Sequence, residues 1–168
     1  QHQAPVRLQK AEILAELLLQ RRVAEDFLAH LQQRIDHGVA GDEDPIVRDA
    51  LERWRGLESS TAGDGFYATF NGPARAIRCA MEVAHRVIDL GIEIRAGVHT
   101  GECELIDGEI SGLTVSIGAR VAAKAGPSPV LISQTVKDLV AGSGLTFEDA
   151  GEHELKGVPD SWRLYRVV

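Results

Sequence analysis

From Leu57 onward the sequence predicts an α+β sandwich, a mixed or antiparallel sheet with helices on one of its faces, preceded by N-terminal helices. Three observations carry this. Strand-like runs come in pairs around glycine-rich turns, helical apolar spacing follows each pair, and the order reads ββαββα and then βαββ.

The elements follow in chain order. Between Val6 and Asp36 there is no Gly or Pro, and steps of three and four residues meet Leu14, Leu17, Arg21, Ala24, Leu28, Leu31 and Ile35. Six of these seven are apolar, a heptad-like seam, and His37-Gly38 is a stop signal. Residues 1–38 therefore predict an amphipathic helix, either lying on its own domain or serving as a dimerisation element. Arg21 interrupts the seam. Residues 39–168 form the predicted main domain. Asp44-Pro45 opens a helix to about Arg55 with Ile46, Val47, Ala50, Leu51 and Trp54 on one face.

The two runs Leu57 to Ala62 and Phe66 to Phe70 flank Gly63-Asp64-Gly65, a hairpin turn. A helix then carries Ala76, Ile77, Ala80, Val83, Ala84 and Val87, and Gly91 closes it. Ile92, Ile94, Ala96 and Val98 alternate along a half-buried strand. Gly101 to Ile110 reads as a second hairpin around Asp107-Gly108. A helix follows from about Leu113 to Ala125, then a strand from Val130 to Ile132. Ser133 is placed to cap a helix to about Val140, and Phe147 to Leu155 and Trp162 to Val167 are the last strands.

The bulk composition narrows the function. The chain of 168 residues carries a formal net charge of −7, which argues against non-specific nucleic-acid binding. No run reaches the ~18 apolar residues of a membrane span. Two cysteines, Cys79 and Cys103, are too few for a disulfide framework, so a reducing, cytoplasmic setting is expected. The chain starts at Gln1 rather than Met, as a piece of a longer product would.

Three charged residues have both a plain and a chemical reading. Asp64, between two glycines, is a common turn former. The chemical reading is a carboxylate that could hold Mg²⁺ while the glycines admit a phosphate. Arg120 would ordinarily be a solvated helix residue. Its neighbours Gly118, Ala119, Ala122 and Ala123 are small enough for that helix to approach another element, leaving Arg120 to reach phosphate. Lys156, in Glu154-Leu155-Lys156-Gly157-Val158-Pro159, is a loop lysine or a triphosphate contact. His99 has no second His at metal-ligand spacing, so no zinc site is expected.

Taken together, these segments resemble class III adenylyl and guanylyl cyclase catalytic domains, of the bacterial, actinobacterial-like kind. Thr61-Ala62-Gly63-Asp64-Gly65-Phe66 resembles the family's metal-binding turn. Gly97-Val98-His99-Thr100-Gly101-Glu102 resembles its central strand, and Gly112 through Arg120 its helix pattern Gly-x-Thr-Val-Asn-x-Ala-x-Arg. Gly151-Glu152-His153-Glu154-Leu155-Lys156-Gly157 resembles the segment with the triphosphate lysine. The match covers about two-thirds of the chain, in order.

The resemblance implies a ferredoxin-like, cyclase-type sandwich. It also implies conversion of a purine nucleoside triphosphate, ATP or GTP, to a 3′,5′-cyclic nucleotide and pyrophosphate. Two Mg²⁺ or Mn²⁺ ions would assist, at the interface of a homodimer or of a heterodimer with another cyclase chain. On this basis Asp64 is a metal ligand, Arg120 the transition-state arginine and Lys156 the triphosphate lysine. The chain also departs from the pattern. The family's first metal aspartate lies on a strand reading Phe-x-Asp-Ile, and nothing before Leu57 reads that way. The catalytic asparagine position is Ser116, the adenine-selecting lysine position is Ser60, and its acidic partner is Glu109. Three functions remain open: a true cyclase whose opening metal-binding strand is absent from this sequence, so that turnover is impaired in this chain, a degenerate homologue that binds nucleotide, regulates or dimerises, and a purely structural domain.

Overall fold

A computed structural model describes residues 6–7, 20–23, 45–62, 65–88, 92–106, 109–126 and 130–168. Its elements are β1 (Val6–Arg7), β2 (Gln20–Val23), α1 (Pro45–Trp54), β3 (Gly56–Ala62), β4 (Gly65–Phe70), α2 (Pro73–Ile88) and β5 (Ile92–Val98). They continue with β6 (Glu104–Ile106), β7 (Glu109–Ser111), α3 (Leu113–Lys124), β8 (Val130–Ser133), α4 (Gln134–Leu139), β9 (Phe147–Glu154) and β10 (Ser161–Val167). The α+β class is as the sequence predicts.

The main sheet has the order β2-β5-β8-β10-β9. It is mixed: β5 and β8 are parallel, and the other neighbours are antiparallel. β3 and β4 form a separate hairpin whose register closes at Ala62 opposite Gly65. β1, β6 and β7 form a small third sheet.

Helices cover both faces of the main sheet, not one. Side chains alternate along a strand, and all four residues of β8 are buried, so both of its faces are covered. Val130 and Ile132 join a core with Ile94, Ala96 and Val98 of β5 and with Ile77, Ala80, Val83 and Val87 of α2. Leu131 turns the other way, into a second core with Leu164, Leu155 and the α3 residues Ile117 and Val121. The buried face of α2 is the one that its apolar spacing predicts. The second layer is hidden in the sequence because glycine 97, rather than a bulky residue, marks where α3 sits.

A Cβ built on Gly97 would lie 2.3 Å from the Ala122 nitrogen and 2.6 Å from the Gly118 carbonyl oxygen. The backbone of α3 therefore rests directly on the backbone of β5. Gly118 and Ala122 are the small residues that permit it, and both are buried.

Two corrections concern residues before Leu57. Within the predicted N-terminal helix, the described stretches Val6–Arg7 and Gln20–Val23 are strands; the remainder of that helix lies outside the described residues. β2 pairs antiparallel with β5, with Arg21 opposite Ile94 and Val23 opposite Ile92. The physical reason is local. The apolar seam breaks at Arg21, and the free edge of β5 offers backbone hydrogen bonds that an extended segment can satisfy. Among the described residues a strand thus does precede the β3–β4 hairpin, and the described residues Gln20–Val23 include no carboxylate.

One further detail differs. Ser133 stands at the N-cap position of α4 but makes no side-chain capping bond. Its hydroxyl is used by His99, as described below. α1 packs on α2, where the Trp54 indole donates a 2.8 Å hydrogen bond to Glu82 and Arg86 pairs with Asp49.

The close approach at Gly97 gives a direct test. Gly97→Ala should cost about 1–3 kcal/mol in urea unfolding, the range expected for overpacking. Gly126→Ala, where an added Cβ meets nothing within 4 Å, should be close to neutral. Equal stability of the two variants would contradict this packing.

Candidate functional site

The site is built on α3 and on the turn after β9. Helix α3 is held at two points. Its middle rests on Gly97, and its first turn is tied to the loop after β5. There the Thr114 hydroxyl donates to the Glu102 carbonyl at 2.7 Å, and a Cβ on Gly101 would lie 2.5 Å from the Thr114 Oγ1. Burial of Thr114, Ile117, Gly118, Val121 and Ala122 leaves Ser116, Arg120, Ala123 and Lys124 on the outer face. These follow the spacing of a single helical stripe. The Ser116 hydroxyl donates to the carbonyl of Gly112, the N-cap residue of its helix, at 3.5 Å.

Lys156 stands on a tight turn, not a loose loop. Leu155 before it is buried in the second core. The Val158 amide donates to the Leu155 carbonyl at 2.9 Å, and Gly157 takes φ +78°, which an L side chain rarely adopts. The Trp162 indole then donates to the Pro159 carbonyl at 2.8 Å and staples the far side of the turn.

His99 supports that staple. It is buried at the end of β5, and its Nδ1 shares a 2.8 Å hydrogen bond with the Ser133 hydroxyl. Its ring meets Trp162 edge to face, with centroids 5.4 Å apart and planes at 86°. Burial pushes its pKa down to about 4, so the imidazole is neutral at pH 7. His99 is thus a framework residue that steadies the loop bearing Lys156.

Arg120 and Lys156 line the same open cleft, of about 800 Å³. Lys124, Glu154 and Asp160 line it too. Among the described residues, neither Arg120 nor Lys156 makes an ion pair, so both cations face the cleft uncommitted. The sequence reading missed Lys124, although its place four residues after Arg120 was a signal that it shares the stripe.

The other candidates are placed less fully. Ser60 lies in β3, opposite Tyr67 and beside a register shift. Glu109 lies in β7, opposite Ile106. β7 borders both β3 and α3, so the two strands bearing these residues are neighbours. Asp64 lies outside the described residues. Among the described residues, no group of three His, Cys, Asp or Glu is placed to hold a metal ion. Nor is any helix among them long and apolar enough to cross a membrane.

Comparison with known proteins bears on this arrangement. No protein-family model matches the chain. A protein of Rhizobium meliloti named "Putative adenylate cyclase 3" is 33% identical over 105 residues, which is 57% of this chain and 18% of that protein. An uncharacterized protein of Mycobacterium tuberculosis is 30% identical over 143 residues, 82% of this chain and 48% of its own length. The chain thus spans less than half of these relatives. Among solved structures, the adenylate/guanylate cyclase/hydrolase from Silicibacter pomeroyi superposes with a TM-score of 0.77 at 22% identity. It covers 93% of this chain and 96% of its own. An adenylate cyclase from Trypanosoma brucei reaches 0.79 at 18% identity, over 97% and 92% of the two chains.

The fold is that of an adenylate/guanylate cyclase catalytic domain.

Within this cyclase fold the described residues bring Arg120 and Lys156 to one cleft, and place Ser116 on the same stripe as Arg120.

The buried His99 predicts a pH dependence of stability. Between about pH 6.5 and pH 4 the unfolded chain binds a proton on this ring that the folded chain refuses, so its contribution is complete above pH 6.5 and is lost on acidification. The loss should be on the order of 3 kcal/mol at most. Urea unfolding at pH 7 and pH 4.5 measures it, and His99→Gln should flatten this part of the profile. An unchanged profile in that variant would contradict a neutral, buried His99.

Proposed function

We propose that this domain binds a purine nucleoside triphosphate through the Arg120–Lys156 cleft and converts it slowly to the 3′,5′-cyclic nucleotide and pyrophosphate. The observation that carries this reading is the convergence of Arg120 and Lys156, more than thirty residues apart, on one cleft inside a cyclase fold. A guanidinium and an ammonium there suit the negative oxygens of a polyphosphate. ATP and GTP are both candidates. A guanylate cyclase domain from Catenaria anguillulae with a TM-score of 0.69 was solved in complex with GTP.

In this reading Arg120 stabilises charge on the reacting phosphate, Lys156 holds the terminal phosphates, and Ser116 offers a short hydroxyl one turn from Arg120. Ser60 and Glu109 are the proposed base-reading pair, which the neighbouring positions of β3 and β7 support. Asp64 is the proposed ligand for Mg²⁺ or Mn²⁺. Asp64 lies outside the described residues, so no step is assigned to the metal. Association as a homodimer, or as a heterodimer with another cyclase chain, is supported by two exposed leucines. Leu57 on β3 is 71% exposed and Leu113 at the start of α3 is 56% exposed, and β7 lies between their elements. A cytoplasmic setting fits the sequence.

A second reading has one specific observation in its favour. Among the described residues ahead of the β3–β4 hairpin, the strand Gln20–Val23 carries no carboxylate. A domain built this way would bind nucleotide and regulate or dimerise without turnover.

Binding of ATP and GTP by calorimetry, beside a cyclase assay in Mg²⁺ and in Mn²⁺, tests these readings. Arg120→Ala and Lys156→Ala should each weaken triphosphate binding about tenfold, as loss of a charge-assisted hydrogen bond does. Slow product formation that Asp64→Ala abolishes supports the cyclase; binding without product supports the second reading. If neither nucleotide binds, both are wrong.

A further inference from the structure

We propose that Lys124 is a third phosphate-binding cation of this cleft, holding the terminal phosphates of the nucleotide and the pyrophosphate they become. The inference rests on the nucleotide-binding reading above and adds a residue to it.

Lys124 ends α3, four residues after Arg120, so the two side chains leave the same stripe roughly 6 Å apart along the axis. Both line the cleft, together with Lys156 from the turn after β9. Two different elements thus present cations to one space, and α3 presents two of the three. The stripe is fixed because the opposite face of α3 is locked onto Gly97.

Charge decides the matter. The cleft also contains Glu154 and Asp160. Arg120 and Lys156 alone would only balance those carboxylates, and the chain as a whole carries −7. A neutral cleft on an acidic protein has little attraction for a polyphosphate. Lys124 supplies the positive excess. Among the described residues it has no ion-pair partner to neutralise it. A bland alternative exists: a lysine in the last turn of a helix complements the helix dipole, and that role would affect stability but not anion binding.

Calorimetric titration of the full chain with inorganic pyrophosphate separates the two. Lys124→Gln should weaken pyrophosphate binding about tenfold and make it less sensitive to salt, whereas Lys124→Arg should keep most of the affinity. Lys137→Gln, which removes a cation stacked on Tyr165 away from the cleft, should change nothing. Circular dichroism of each variant confirms that it is folded. If Lys124→Gln binds like the parent while Arg120→Gln and Lys156→Gln are weakened, Lys124 is a helix-end residue only and the proposal is overturned alone. If the parent does not bind pyrophosphate, or all three variants match it, the nucleotide-binding reading falls as well.

Discussion

The contact on which the rest depends is the backbone approach of α3 to β5 at Gly97. With a hydrogen in place of a side chain there, the Ala122 nitrogen and the Gly118 carbonyl can sit where a methyl group would otherwise be. This single approach sets the height of α3 above the sheet. The bond from Thr114 to the Glu102 carbonyl then fixes its starting point. With both constraints in place, the outward stripe of Ser116, Arg120 and Lys124 has only one direction to face.

The other half of the site is fixed by a different means. Lys156 is carried on a four-residue turn anchored by a buried leucine, a positive-φ glycine and the Trp162 staple. Trp162 in turn leans on His99, which is bonded to Ser133 at the junction of β8 and α4. The end of β5 therefore supports both arms of the cleft. Gly97 admits α3, and two residues later His99 steadies the loop opposite. Solved cyclases share this fold, and identities of 22% and below restrict the likeness to the fold.

Much of this was legible in the sequence, and the rest was hidden for physical reasons. The helix from Pro73 reads correctly because its apolar positions form one face against one core. Arg120 and Lys156 stand out as candidates through their motifs, but nothing in spacing alone shows that they share a cleft. The second sheet face was hidden because its marker is an absence, the missing side chain of Gly97. β2 was hidden because a short run such as Gln20-Arg21-Arg22-Val23 gains its strand character from the edge it joins, not from its own pattern. Ser133 reads as a cap from its position, yet its hydroxyl serves a histidine thirty-four residues away. Asp64 and the side chains of Ser60 and Glu109 stand outside what the structure describes.

The central claim is that one cleft, framed by α3 and the Lys156 turn, receives the phosphates. A crystal structure of the full chain with a triphosphate analogue that cannot cyclise tests this most directly. The account predicts phosphate oxygens within hydrogen-bonding distance of both Arg120 and Lys156, with α3 still seated on Gly97. Phosphates bound on another face, or in contact with neither residue, would contradict it.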